Sequence, residues 1–329
     1  MIETIFFEEE IYEHPTTERI RRALPRAGWV PIDRYQELFN KRHQNFKLQK
    51  KNPALILAKK HDNFVLPVPS GFGMDSHKNF YFSHMYNCLY DCKYCFLQGM
   101  YSSANFVLFV NYEDFVLEIK KLISKKENIT FFSGYDCDSL ALEKVTGFAS
   151  YILPIFKEYS NCILELRTKS NQIKPLDKIE PIKNCVIAFS LMPDKISLAL
   201  DKKAPTIKRR IATIKTLSAL GWKIGLRFDP LIFGDSWKDQ YQDLHENIFN
   251  VINISSIHSI SYGPLRFPIA MYKKINSMYQ NEKLFVGPFE QNQSEVSYKQ
   301  EIEDEMTEFC KNLSLNFAPE SLIFNCKSN

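Results

Sequence analysis

The stretch Asn87-Cys88-Leu89-Tyr90-Asp91-Cys92-Lys93-Tyr94-Cys95-Phe96-Leu97-Gln98 holds three of the chain's eight cysteines within eight positions. Their spacing is C-x3-C-x2-C. Three thiolates at this spacing can hold three irons of a 4Fe–4S cluster and leave the fourth iron without a protein ligand. Such an open position lets a substrate or cofactor bind the metal centre directly. The same stretch admits a second reading, because His84 precedes Cys88 by four and could complete a tetrahedral zinc site with the three thiolates. Spacing favours iron–sulfur and leaves both open.

Working outward, the remaining cysteines at 137, 162, 185, 310 and 326 are scattered. That pattern, in a long chain, argues against a disulfide framework. The 329 residues are 45% apolar, with 26 Phe and 16 Tyr against 11 Gly, which excludes a disordered or collagen-like chain and suffices for a large core. No apolar run reaches the roughly 18 residues of a membrane span. The acidic, aromatic start, Met1 to Glu10, is unlike a signal or transit peptide. A soluble, cytoplasmic protein with no membrane partner is expected.

The cysteine run opens a regular rhythm. Residues 79–84 read as a strand and 113–124 as a helix. A strand over 129–133 precedes a helix over about 140–159 that Pro154 kinks. Strands over 162–168 and 186–191 lead to a helix opened by Pro205-Thr206 and stopped by Gly221. Further pieces follow: a strand at 223–228, a helix at 238–252, a strand at 257–262 and an acidic helix near 298–312. Residues 1–78 are punctuated by six prolines into short helical or extended pieces. Six strands alternating with helices imply a parallel α/β sheet, whose chemistry gathers at the carboxyl ends of the strands. The cysteine run, Gly134 to Ser139, Thr168-Lys169, Ser190 and Arg227-Phe228-Asp229-Pro230 all fall there.

Charge is unevenly spread. Residues 41–60 carry seven Lys or Arg and no acid, 202–215 carry six and no acid, and 290–308 hold seven acids against Lys299. The basic stretches suit phosphate contacts, although a solvated face would give the same pattern.

With Tyr94 before the last cysteine and a sixfold β/α repeat around it, the run resembles the radical S-adenosylmethionine (radical SAM) enzymes. More narrowly, it is similar to the C-x3-C-x-Y-C-Y-L-Q run of the spore photoproduct lyase family. The likeness continues through Val110-Asn111, Asp138 to Glu143 with Thr146-Gly147, Thr168-Lys169, Phe189-Ser190 and Gly221. It covers about 79–262, and the N-terminal region more loosely.

The resemblance implies a partial (β/α)6 radical SAM barrel over 79–264, with an irregular N-terminal segment (1–78) and a mixed α+β C-terminal segment (265–329) on the substrate side. It further implies a 4Fe–4S cluster on Cys88, Cys92 and Cys95 that binds S-adenosyl-L-methionine. One-electron reduction, by a partner such as flavodoxin or ferredoxin, would yield a 5′-deoxyadenosyl radical for light-independent repair of a thymine photoproduct in DNA. By position, Tyr94 would approach the adenine, Lys169 the methionine carboxylate and Ser190 the ribose, with Phe96 and Gly134 also lining the cofactor site. Alternatives keep the chemistry but change the substrate to RNA, a peptide or a small molecule, or replace catalysis by zinc-dependent nucleic-acid binding.

Three departures stand out. The family's hydrogen-donating cysteine lies in a Cys-Thr-Ser-Asp run, where this chain has Tyr135-Asp136-Cys137-Asp138. Phe96 replaces a family tyrosine. The stretch 284–294 is neutral to acidic where the family is rich in Lys, Tyr, Gly and Arg. A thiol is a good hydrogen donor, so Cys137 is expected to serve, with Tyr135 beside it.

Overall fold

Six parallel strands follow one another across a curled sheet in chain order: β1 (Lys78–Phe82), β2 (Ile129–Ser133), β3 (Cys162–Thr168), β4 (Cys185–Ser190), β5 (Lys223–Leu231) and β6 (Ile257–Pro264). Leu66–Pro67 flanks β1 antiparallel, and Ile323–Asn325 flanks β6 parallel. The structure is a computed structural model that describes residues 2–69, 73, 78–125 and 127–325; Cys326 lies outside them.

Register assigns each strand two faces, because side chains alternate with period two. Leu164 and Leu166 share one face with Phe131, Ile187 and Ile224. Helices pack on that face, as the edge-on contact of Phe131 with Phe156 shows. The opposite, inner face is polar: it carries Glu165, Arg167, Ser190, Arg227 and Ser259. An alternating strand such as Cys162–Thr168 therefore divides a hydrophobic core from a polar lumen.

The crossovers are α1 (Tyr112–Ile123), α2 (Phe148–Phe156), α3 (Asp194–Leu200), α4 (Ile207–Leu220) and α5 (Trp237–Phe249). Thr206 caps α4 through Arg209 N and Gly221 ends it, as expected. The helix expected over 140–159 is broken at Gly147, because residue 147 is left-handed, with φ of 56°, and Pro154 lies inside the second helix, Phe148–Phe156. Helices α6 (Ile269–Met278) and α7 (Gln300–Leu315) follow the last barrel strand.

The N-terminal segment is less irregular than its prolines suggest: Pro31 sits within a strand, Pro67 within another, and the extended pieces pair into a sheet. A proline lacks only the amide and can occupy a strand where that donor is not needed. Thr4–Glu8, Gly28–Ile32 and Leu55–Ala58 run parallel and are joined by Phe106–Phe109; Met85–Tyr86 closes the edge antiparallel. The chain thus leaves one sheet at Phe82 and enters the other at Met85. The cysteine loop hangs between two rigid layers.

Candidate active site

The loop begins at Asn87, whose left-handed backbone (φ 65°) turns the chain and whose side chain donates to the carbonyls of Ser103 and Asn105, both at 2.8 Å. Lys50 then reaches in, donating to the Cys88 carbonyl at 2.9 Å and the Tyr90 carbonyl at 3.1 Å. Asp91–Cys92 pairs antiparallel with Asp201–Lys202. The Cys95 amide donates to the Cys92 carbonyl, which also accepts from Gln98 Nε2 at 2.6 Å. The backbone is tied at every turn, and the three side chains are left as free thiols. Burial pushes the Cys88 thiol up to about 12 and raises Cys92 and Cys95 as well. Thiolates buried like this need a cation.

The zinc reading fails on geometry. His84 lies flat against Phe148, with ring centroids 3.9 Å apart and planes 1° apart, and burial holds its pKa down to about 3. Among the described residues, only Glu8, Glu10 and His61 bring three ligand atoms close enough for one ion. His84 is therefore a packing residue against Phe148.

Beside the loop stands a buried ionic knot. Asp201 accepts from the Tyr94 hydroxyl at 2.5 Å, from Arg210 Nη2 at 2.6 Å and from Ser197 at 3.2 Å. Lys169 Nζ is 4.0 Å from Asp201 and 5.3 Å from the centre of the Tyr94 ring. Burial would lower the Lys169 pKa, but Cys92 and Asp201 more than offset it and the ammonium is held charged. Arg210 also donates to the Ser190 carbonyl at 3.0 Å. The structure therefore gathers Tyr94, Lys169 and Ser190 around two residues that the sequence reading missed. One signal for them existed: Arg210 sits on the buried stripe of an amphipathic helix with Ile207, Ile214 and Leu217, where an arginine needs a buried acid.

The loop after β2 supplies the other wall. Gly134 has φ of 91°, and a Cβ there would meet Ser139 Oγ at 2.6 Å, so only glycine fits. Asp138 accepts from the amides of Leu140, Ala141 and Lys169 and from Thr168 Oγ1. It binds this loop to the end of β3 and so sets where Lys169 starts. Glu143 takes the amides of Ala149 and Ser150 and caps α2.

Tyr135 and Cys137 go different ways. Tyr135 stacks on Tyr81 from β1, with centroids 4.4 Å apart, and meets the edge of Phe96 at 6.4 Å. Burial raises its phenol pKa, opposed by the cations Arg167 and Arg266. Cys137 is buried beside the Met85 amide and Cys88, which places it on the cysteine-loop side. Deeper in the lumen, Arg227 Nη2 holds Glu165 at 2.6 Å and Ser259 at 2.8 Å. Gly225 leaves room for that guanidinium, and the pair holds Glu165 down to about 2.

Three free thiols in one tied loop, on the rim of a curled parallel sheet with a polar lumen, agree with a family model. The model of spore photoproduct lyase matches residues 4–314. The chain belongs to the spore photoproduct lyase family. Solved structures of a spore photoproduct lyase are similar throughout. One, a double mutant with bound AdoMet and dinucleoside spore photoproduct, has a TM-score of 0.87 at 14% identity, over 100% of this chain and 99% of that one. Another, complexed with dinucleoside spore photoproduct, has a TM-score of 0.84 at 14% identity, over 99% and 98%. At that identity the likeness is one of fold. No curated protein matches the sequence.

Set against the family run, Phe96 keeps the packing of an aromatic but brings no hydroxyl to the Tyr135 ring. The stretch 284–294 holds Phe289–Gln291, which pairs antiparallel with Glu295–Tyr298, itself paired with Arg266–Pro268. No described helix is long and apolar enough to cross a membrane.

Proposed function

We propose that this protein is a radical SAM enzyme that repairs a thymine photoproduct in DNA, with a 4Fe–4S cluster on Cys88, Cys92 and Cys95. The observation that carries the reading is the trio of free thiols on the barrel rim, Cys92 buried and Cys88 and Cys95 half-buried on a tied loop, in a chain of this family. A structural neighbour that holds both AdoMet and dinucleoside spore photoproduct supports it. When bound, the reduced cluster supplies the electron that splits the sulfonium of S-adenosyl-L-methionine, starting hydrogen abstraction from the substrate.

This chain's residues do the rest. Lys169, held charged, meets the methionine carboxylate as a charge-assisted donor. Tyr94, fixed by Asp201, would approach the adenine, and Phe96, in edge contact with Tyr135, would also line the cofactor site. The Gly134 backbone and Ser190 border the cofactor, Ser190 on the ribose side. The lesion occupies the lumen, where Tyr81, Tyr135, Arg167 and Arg266 offer aromatic faces and cations to bases and phosphate. Cys137 and Tyr135 are the hydrogen-donor candidates: the thiol has the weaker bond to hydrogen, and the phenol has the lumen position. Reduction by a flavodoxin or ferredoxin in the cytoplasm completes the proposal.

The test is anaerobic reconstitution followed by assay for 5′-deoxyadenosine with and without irradiated DNA. Iron and sulfide should each bind at about four per chain, and irradiated DNA should be returned to thymines. Stoichiometric zinc with no iron uptake would overturn the reading.

A further inference from the structure

The two basic stretches are far apart in sequence and meet on the cysteine loop. Lys203 Nζ donates to the carbonyl of Lys50 at 3.1 Å, and Lys50 Nζ donates to the carbonyl of Cys88. Lys202 pairs through its backbone with Asp91, next to Cys92. Lys47 Nζ bonds the Met278 carbonyl at 3.0 Å and lies 5.6 Å from the centre of the Tyr279 ring. Tyr279 in turn donates to Gln98 Oε1 at 2.7 Å, and Gln98 holds the Cys92 carbonyl. Lys47, Lys202 and Lys203 are thus each one or two residues from a cluster cysteine, and Lys51 follows Lys50 in the chain.

Lys47, Lys51, Lys202 and Lys203 are all exposed. Of the acids beside them, Glu282 is paired with Lys93 and Asp201 is buried against Arg210, while half-buried Asp91 keeps one carboxylate oxygen out of solvent. Two leucines on the same segments also face solvent, Leu48 at 62% and Leu198 at 57% exposure, and Lys202 Nζ bonds the Leu198 carbonyl at 2.7 Å. Lysines around exposed leucines make a surface for an acidic protein: charge steers the encounter, and apolar contact holds it long enough to react.

We propose that this face, centred on Lys47, Lys51, Lys202 and Lys203, docks an acidic one-electron carrier protein over the cysteine loop. The proposal rests on the function given above and names the partner that serves it. Nucleic acid is also anionic, but a DNA-binding face gains nothing from standing on the cluster loop, whereas electron transfer requires a short path. The face passes electrons inward along the loop while the lumen stays free for the lesion. Reduction therefore need not wait for DNA to leave.

The test compares the reconstituted wild-type protein with the triple variant Lys47→Glu, Lys51→Glu, Lys202→Glu, after the cluster absorption of the two is shown to match. The probe is an acidic flavodoxin, titrated at several salt concentrations. Its affinity for the variant should fall by about tenfold or more, with a shallower salt dependence. Cleavage of S-adenosyl-L-methionine driven by flavodoxin should fall with it, while cleavage driven by dithionite stays unchanged. Unaltered flavodoxin affinity overturns the proposal, and so does a loss confined to duplex DNA binding. Absence of dithionite-driven cleavage in the wild-type protein would tell against the function instead, and the flavodoxin titration would still decide the docking.

Discussion

The Tyr94 hydroxyl donates to Asp201 Oδ1 at 2.5 Å, across 107 residues of chain. Because Asp201 also pairs through its backbone with Cys92, this one residue fixes both the cysteine loop, by its main chain, and the aromatic ring inside it, by its carboxylate. Arg210 and Lys169 hold it ionised, against a burial that would raise its pKa.

Breaking the knot should separate its parts. Tyr94→Phe removes one hydrogen bond and should cost about 1 kcal/mol of stability. Asp201→Asn leaves Arg210 buried without its counter-charge and should cost about 3–5 kcal/mol. Denaturant unfolding of the cluster-free protein measures both. The double variant should lose less than the sum, because the two residues share one interaction.

Lys169→Ala should weaken S-adenosyl-L-methionine binding by about tenfold or more while leaving the cluster's absorption spectrum intact. Equilibrium titration of the reconstituted protein gives the affinity. Unchanged binding would make Lys169 a partner of Asp201 alone.

The hydrogen donor is separable by product analysis. If Cys137 donates, Cys137→Ala still cleaves S-adenosyl-L-methionine but yields adducts instead of restored thymines, and Tyr135→Phe is near normal. The reverse pattern assigns the step to the phenol stacked on Tyr81.

Two buried imidazoles set an acid limit. Burial lowers His84 to about 3 and His245 to about 4, from an ordinary 6.5. Below that ordinary value the unfolded chain takes up protons that the folded chain refuses, so stability falls as the pH drops from neutral. Near pH 5 the loss should be about 2 kcal/mol for each ring at most. Urea unfolding at pH 7 and pH 5 measures it, and His245→Phe should flatten the dependence.

How much of this was legible in the chain depends on how local the cause was. The strand over 129–133 and the helix closed by Gly221 follow from alternation and from capping, which act within a few residues. The Gly147 break went unread because Pro154 is the louder breaker in sequence, whereas Glu143 caps a new helix from seven residues away.

The sequence by itself determined the cysteine loop, the β/α rhythm and the family, since each rests on residue types at short, fixed spacings. Only the tertiary structure decided that His84 packs on a ring instead of binding metal, that Tyr135 and not Cys137 stacks on Tyr81, and that Asp201 gathers Tyr94, Lys169 and Arg210. It also brought Lys50 and Lys203 together on the cysteine loop. Apart from Asp201 with Arg210, nine positions away, these are contacts between residues about 30 to 150 positions apart. Electrostatics and stacking act through space, so no periodicity along the chain records them.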